Sequence, residues 1–403
     1  MKTPSYGWLN VLAVMIVYGG LCGNVTYAYG VFLPAMSETW QWPRAALSGP
    51  YTLFLLVGGL LGPLAGITCA RFGPRLNIIV SNFIAAVGLL CMSQMKEIWH
   101  AYLFFGLFCG LGIAFGEFIP STTVVNNWFV KKRSLAMGML FAAGGIGGFI
   151  MPPLIGYLIT RWGWPATWVF LGIFHLFFVS LLGGLLIRNR PEDEVKRAPN
   201  GFMPQEASNE WQVGEAIRTP ALWLIVWLFA AILFVVNILS THQVSYLEEC
   251  RYSPLFAASA LGFMLGVSIV GRLLAGYLGT IFDGRKVLFV SFLLTSVGLL
   301  CLIHAGLAVF VYLYAIFVGL GFGGTIVTIP GLTADFFGRA HYSRLMGWVA
   351  PIITVAGAIS PLLAGYLRDW TGSYRLPFVI ALFVALGGAL CSMLMKAPVK
   401  KSA

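Results

Sequence analysis

The sequence predicts an all-α membrane protein of twelve transmembrane helices, arranged as two six-helix bundles. Three observations carry that prediction. Apolar runs long enough to cross a bilayer recur from end to end, the basic residues gather in alternate loops, and the second half of the chain repeats residues of the first at a fixed offset.

Of the 403 residues, 59% are hydrophobic and only 10% are charged, with a mean hydropathy of +0.86, a balance that excludes the ordinary soluble classes. A helix needs about 20 apolar residues to cross ~30 Å of hydrocarbon. Twelve runs reach that length, at 8–36, 46–70, 76–95, 100–127, 134–160, 166–187, 220–247, 254–281, 286–304, 307–335, 344–367 and 376–395. They are apolar nearly throughout rather than alternating, which excludes the strands of a membrane barrel. The first run is too long for a cleavable signal peptide and is expected to stay in the bilayer.

The net charge of +11 does not call for nucleic acid, because the basic residues lie in short loops between spans, as retention of Lys and Arg on the cytoplasmic side requires. With the N-terminus inside, eighteen lie in cytoplasmic segments: Lys2, Arg71, Arg75, Lys131, Lys132, Arg133, Arg188, Arg190, Lys196, Arg197, Arg218, Arg285, Lys286, Arg339, Arg344, Lys396, Lys400 and Lys401. Six lie outside: Arg44, Lys96, Arg161, Arg251, Arg368 and Arg375. The bias places both termini in the cytoplasm of a multi-pass protein of the cell inner (plasma) membrane. Seven cysteines are scattered without CxxC spacing and read mainly as apolar filler rather than metal or disulfide partners. No cofactor is expected.

Residues 188–218 interrupt the apolar pattern with a polar, mixed-charge stretch holding three prolines. It reads as a cytoplasmic linker with a short interfacial helix near Trp211, so the expected organisation is 1–190, a linker at 191–217, and 218–403. Ala65, Gly66, Phe72, Arg75 and Pro120 recur 210 residues later as Ala275, Gly276, Phe282, Arg285 and Pro330. Pro152, Gly156, Tyr157, Leu158 and Gly163 recur 209 residues later as Pro361, Gly365, Tyr366, Leu367 and Gly372. Such a register marks an internal repeat. The GLGFGG at Gly319–Gly324 fits a dinucleotide fingerprint by spacing, but no strand precedes it and an apolar span contains it, so it reads as helix packing. The sequon at Asn24 is buried in the first span.

An ionised side chain at the bilayer centre costs about 2.5–3.5 kcal/mol on insertion scales and asks for a reason. Two remain after the spans are drawn, Glu117 in span 4 and Arg272 in span 8. Arg272 shares a helix face with Ser268 and Gly276, and its permanently charged, forked guanidinium suits a carboxylate through two parallel hydrogen bonds. The alternative is a fixed ion pair, with Glu117 as its partner. Glu117 lies three residues before Pro120 and reads either as a group that gains and loses a proton or as a permanently protonated or paired carboxyl. His242 in span 7 and Tyr27 in span 1 occupy corresponding helices of the two halves, and His242 suits proton relay, donation to a substrate oxygen, or packing. For His175 in span 6 the packing reading prevails.

Two six-helix halves in parallel repeat resemble the major facilitator superfamily, whose site lies between the halves near the bilayer midplane. GITCARFGPR at 66–75 is similar to its signature loop, departing at Ala70, and GYLGTIFDGR at 276–285 is a more degenerate copy. NWFVKKRSLAMGMLFAAG at 127–144 resembles the helix 5 signature of the monocarboxylate transporter family and its bacterial relatives, which include oxalate/formate antiporters; Trp128, Leu140 and Ala143 depart from it. SYGW at 5–8 partly resembles the signature before helix 1.

By that resemblance Arg272 occupies the place of the arginine that binds substrate carboxylate. Ser268 stands where the family has an acid, and Tyr27 stands where it has a lysine. Tyr27 is similar to the tyrosine of the oxalate-type branch, but span 11 lacks that branch's second cation. The resemblance implies a secondary active transporter of small monocarboxylates such as lactate or pyruvate, proton-coupled, working by alternating access as a monomer. The alternative is an organic-anion exchanger of the oxalate/formate type. Arg272, Tyr27, Ser268 and His242 are the expected substrate contacts, and Glu117 and His242 the expected proton-coupling groups. A membrane enzyme is not expected, since HExxH, GxSxG, P-loop and paired intramembrane carboxylates are absent. A receptor that binds without transporting is the remaining alternative.

Overall fold

The computed structural model describes residues 3–129, 132–189, 211–338 and 342–398, and those residues form helices without a strand among them. Lys2, Lys131, Arg190, Lys196, Arg197, Arg339, Lys400, Lys401 and most of the expected linker lie outside the described residues. From the linker's end, a single turn of helix at Val213–Ala216 follows Trp211, whose ring meets Phe337 edge-on at 5.9 Å.

Among the described residues, ten helical runs are long and apolar enough to cross a membrane. The pair Arg44–Leu60 and Gly62–Phe72, bent by 51°, adds an eleventh. Within the run Leu135–Leu186, Gly163 leaves the helical region (φ 78°, ψ 164°) and divides it in two, so all twelve expected spans are present. We label them α1 (Tyr6–Trp40), α2 (the bent pair), α3 (Pro74–Met92), α4 (Ile98–Trp128), α5 (135–162), α6 (164–186), α7 (Pro220–Glu249), α8 (Pro254–Leu278), α9 (Gly284–Ile303), α10 (Ala308–Phe337), α11 (Trp348–Thr371) and α12 (Arg375–Leu394).

Local chemistry sets the ends of these helices. Gln41 turns left-handed (φ 54°) after α1, and Pro43 opens α2 as its N-cap. Gly73 (φ 80°) ends α2 and Pro74 begins α3, the order that suits a residue free to adopt positive φ followed by one with no N–H to satisfy. Asp283 caps α9 by accepting from the Arg285 backbone N–H at 2.8 Å. The internal repeat is visible in the backbone as well: Gly163 and Gly372 both take positive φ (78° and 72°), and Pro120 and Pro330 both sit inside their helices.

Packing divides the chain into two compact units, Met1–Gly201 with Ser240–Gly262, and Phe202–Leu239 with Phe263–Ala403. In the first unit Phe32 stacks on Trp168 at 3.7 Å, and Phe105 fills the space between Tyr29 and Phe54. A Cβ at Gly147 of α5 would collide with the Gly19 carbonyl of α1, so glycine there sets how closely those helices cross. In the second unit, a Cβ at Gly323 of α10 would strike the Ser268 carbonyl of α8, which accounts for the GLGFGG run as a packing surface. Large apolar side chains also face outward, Leu273 and Trp370 being more than 70% exposed, as a lipid solvent permits.

Candidate functional site

The site residues of the first unit cluster where two helices lose regular geometry. In α1, residues Cys22–Thr26 form a π-turn closed by the Tyr27 N–H donating to the Cys22 carbonyl at 2.9 Å, a local widening that recurs at functional positions. In α4, Glu117 leaves the helical region (φ −94°, ψ −96°) between Gly110–Gly116 and Phe118–Trp128. Pro120 has no N–H to donate to the carbonyl four residues back, at Gly116, so the chain bends there without sacrificing a bond it would otherwise make.

The two irregular points meet. The Cys22 thiol donates to Glu117 Oε1 at 3.0 Å, and the Tyr51 hydroxyl of α2 donates to the Thr26 carbonyl at 3.0 Å. Tyr27 is buried, 8% exposed, and lies with Glu117 within electrostatic reach of Tyr51. Tyr27, Cys22, Tyr51 and Glu117 therefore make one polar cluster inside an apolar bundle. Cys22, read from sequence as filler, is a partner of the intramembrane carboxyl.

His242 belongs to the same unit but is held elsewhere. It is fully buried, and its Nε2 lies 3.2 Å from Ser48 Oγ on α2. The Ser48 hydroxyl donates its one hydrogen to the Arg44 carbonyl at 2.7 Å, so Ser48 accepts from His242, which assigns the proton to Nε2. His175 is likewise buried, with Nδ1 3.4 Å from Asn24 Nδ2 and Nε2 3.1 Å from Asn82 Oδ1. An amide nitrogen can only donate and an amide oxygen can only accept, so this imidazole is neutral with its proton on Nε2.

Arg272 and Ser268 lie in the second unit. The Arg272 guanidinium carbon sits 5.8 Å from the centroid of the Phe322 ring, over its face, where the ring quadrupole favours a cation without neutralising it. Ser268 is fully buried and donates to the Leu265 carbonyl at 2.6 Å, leaving its oxygen as an acceptor. The structure thus brings Tyr27 and Glu117 together, sets His242 on Ser48, and puts Arg272 one turn from Ser268. Cys22, Tyr51, Asn24, Asn82 and Ser48 escaped the sequence reading. The one signal for them was the presence of polar side chains within otherwise apolar runs.

The chain is 26% identical to monocarboxylate transporter 13 of Bos taurus over 390 residues, covering 96% of this chain and 88% of that one. It is 24% identical to monocarboxylate transporter 2 of Rattus norvegicus over 421 residues, covering 96% and 82%. In fold it is similar to a bacterial homologue of the human lysosomal transporter Spinster, in an inward-facing and occupied conformation, with a TM-score of 0.77, 14% identity, and coverage of 98% and 97%. The sequence matches the Major Facilitator Superfamily over residues 14–280 and 260–403, and with twelve helices, a two-fold repeat and monocarboxylate transporters among its relatives, this membrane transporter belongs to that superfamily.

Proposed function

We propose that the protein is a secondary active transporter of small monocarboxylates of the lactate and pyruvate kind, coupled to protons and working by alternating access in the cell inner membrane with both termini cytoplasmic. The observation that carries this reading is Arg272, a guanidinium in the middle of a membrane span, poised on the Phe322 ring. A fixed positive charge at that depth suits an anion, and a single fork suits a single carboxylate. The relatives named monocarboxylate transporters support the same class. Tyr27, Ser268 and His242 are the further contacts proposed for substrate, and Glu117, with His242 as the second candidate, the group that takes up the proton.

The test is uptake into proteoliposomes. Arg272→Ala should abolish carboxylate uptake while the protein still inserts. Arg272→Lys should be impaired by about 10- to 100-fold, because a point charge replaces the fork and charged hydrogen bonds are worth about 1.5–3 kcal/mol each. Normal uptake by the alanine variant removes the anchor. Competition by lactate and pyruvate with little effect of oxalate supports the monocarboxylate reading, since a second carboxylate would lose water without gaining a partner. Oxalate as the strongest competitor would instead make the protein an organic-anion exchanger.

A further inference from the structure

The second unit contains a groove that transport chemistry does not use. It lies between α8, α9 and α10, encloses about 320 Å³, and is floored by Gly271, Ala275 and Gly324 with Val290 and Leu294 as walls. Half-exposed Leu274 and Val290 open it to the outside of the bundle. Its two polar lining residues are Lys286 and Ser291, and the Ser291 hydroxyl is committed to the Val287 carbonyl at 2.8 Å. Beyond Lys286 at its mouth the groove offers no free donor, so a small hydrophilic anion drawn inside would lose its water without replacement.

An amphiphile meets the groove differently, because its apolar part replaces lipid contacts while its charge stays at the mouth. Lys286 is exposed at the first turn of α9. The neighbouring Arg285 spends its guanidinium on the Asp283 carboxylate and on the Met395 carbonyl, 3.0 Å away, so Lys286 is the cation the groove offers to a head group. A basic residue at the mouth of an apolar crevice between membrane helices is the arrangement that selects anionic lipid.

We propose that this groove binds one acyl chain of an anionic membrane phospholipid, with the lipid phosphate paired to Lys286. The occupied groove would press on the face of α8 that carries Gly271 and Ala275, the residues flanking Arg272 by one and three positions, and so would bear on the substrate anchor.

The experiment is native mass spectrometry of the detergent-purified protein after exposure to phosphatidylglycerol, phosphatidylcholine or oleate, each alone. Wild type should retain one phosphatidylglycerol at about fivefold lower lipid than phosphatidylcholine, the factor expected of one lysine facing an anionic lipid. Lys286→Gln, an exposed change that leaves the fold alone, should erase the preference while keeping weak retention of both lipids. Leu294→Trp, which fills the groove, should lose retention of both. Equal retention of the two phospholipids by wild type overturns the proposal, as does an undiminished preference in Lys286→Gln. Oleate retained better than phosphatidylglycerol also overturns it, by making the site one for a free fatty acid.

Discussion

Replacing His175 by leucine isolates what the buried Asn24–His175–Asn82 chain contributes. Both ring nitrogens are partnered, and all three side chains are almost wholly buried among α1, α3 and α6. Measured cycles within membranes average about 0.6 kcal/mol per side-chain hydrogen bond, so two bonds considered as attractions amount to about 1 kcal/mol. Truncation is a different perturbation: it strands a donor on Asn24 and an acceptor on Asn82, each costing about 1–3 kcal/mol when buried without a partner. Asn24 Oδ1 already lacks a partner in the structure, so that amide has no second bond to fall back on. The expected loss is therefore about 2–6 kcal/mol. Thermal unfolding in detergent, followed by tryptophan fluorescence, measures it, and the double variant His175→Leu with Asn82→Leu should recover part of the loss by removing one stranded group. A His175→Leu protein as stable as wild type would show that the chain of bonds is incidental to packing.

Other outcomes follow from the same geometry. Glu117→Gln should keep substrate exchange but lose accumulation driven by a proton gradient, measured in proteoliposomes at matched insertion; substrate still concentrated in response to that gradient moves the coupling role to His242. Gly323→Ala should destabilise by about 1–3 kcal/mol because its methyl meets the Ser268 carbonyl, whereas Gly331→Ala, with open space around it, should unfold at the wild-type temperature. Asp283→Ala should lower stability by about 1 kcal/mol through loss of the α9 cap, the half-exposed ion pair with Arg285 adding little. Arg285 holds the Asp283 carboxyl below its usual range. The wild-type advantage over this variant is therefore full above about pH 3.9 and disappears as pH falls through the lowered folded value; a wild-type advantage that grew as the medium became more acid would contradict the assignment.

The twelve helices were legible because hydropathy answers one strong constraint, that a backbone in hydrocarbon must bond to itself. The α5–α6 and α11–α12 turns were legible through Gly163 and Gly372, matched in sequence and then in positive φ. Pro120 was visible three residues after Glu117, but the break in α4 at Glu117 was read only from the structure. The π-turn was not legible, since no residue in Cys22–Thr26 enforces it and its supports, Glu117 and Tyr51, come from α4 and α2. The Ser48–His242 bond joins residues 194 apart, and nothing local to either predicts the other. Periodicity reports which side of a helix is apolar; it is silent on which polar atoms meet.

The repeat separates scaffold from chemistry. Positions that shape the backbone are shared between the halves: Gly163 with Gly372, Pro120 with Pro330, Pro152 with Pro361. The two charges deep in the spans, Arg272 and Glu117, are not. At the offset of 210, Arg272 corresponds to Gly62, which lies at the bend of α2, and Glu117 corresponds to Val327 in regular α10. At each of these two positions one unit thus holds an ionisable group where the other holds a residue that cannot ionise. A duplicated transporter whose halves were chemically equivalent would offer two weak anion sites or two proton sites. Divergence at these two positions leaves one fixed cation and one carboxyl, the smallest set that lets an anion and a proton load together. The proposed symport then depends on both, so removing Arg272 should abolish uptake and neutralising Glu117 should uncouple it from protons, neither change disturbing the glycines and prolines that build the fold.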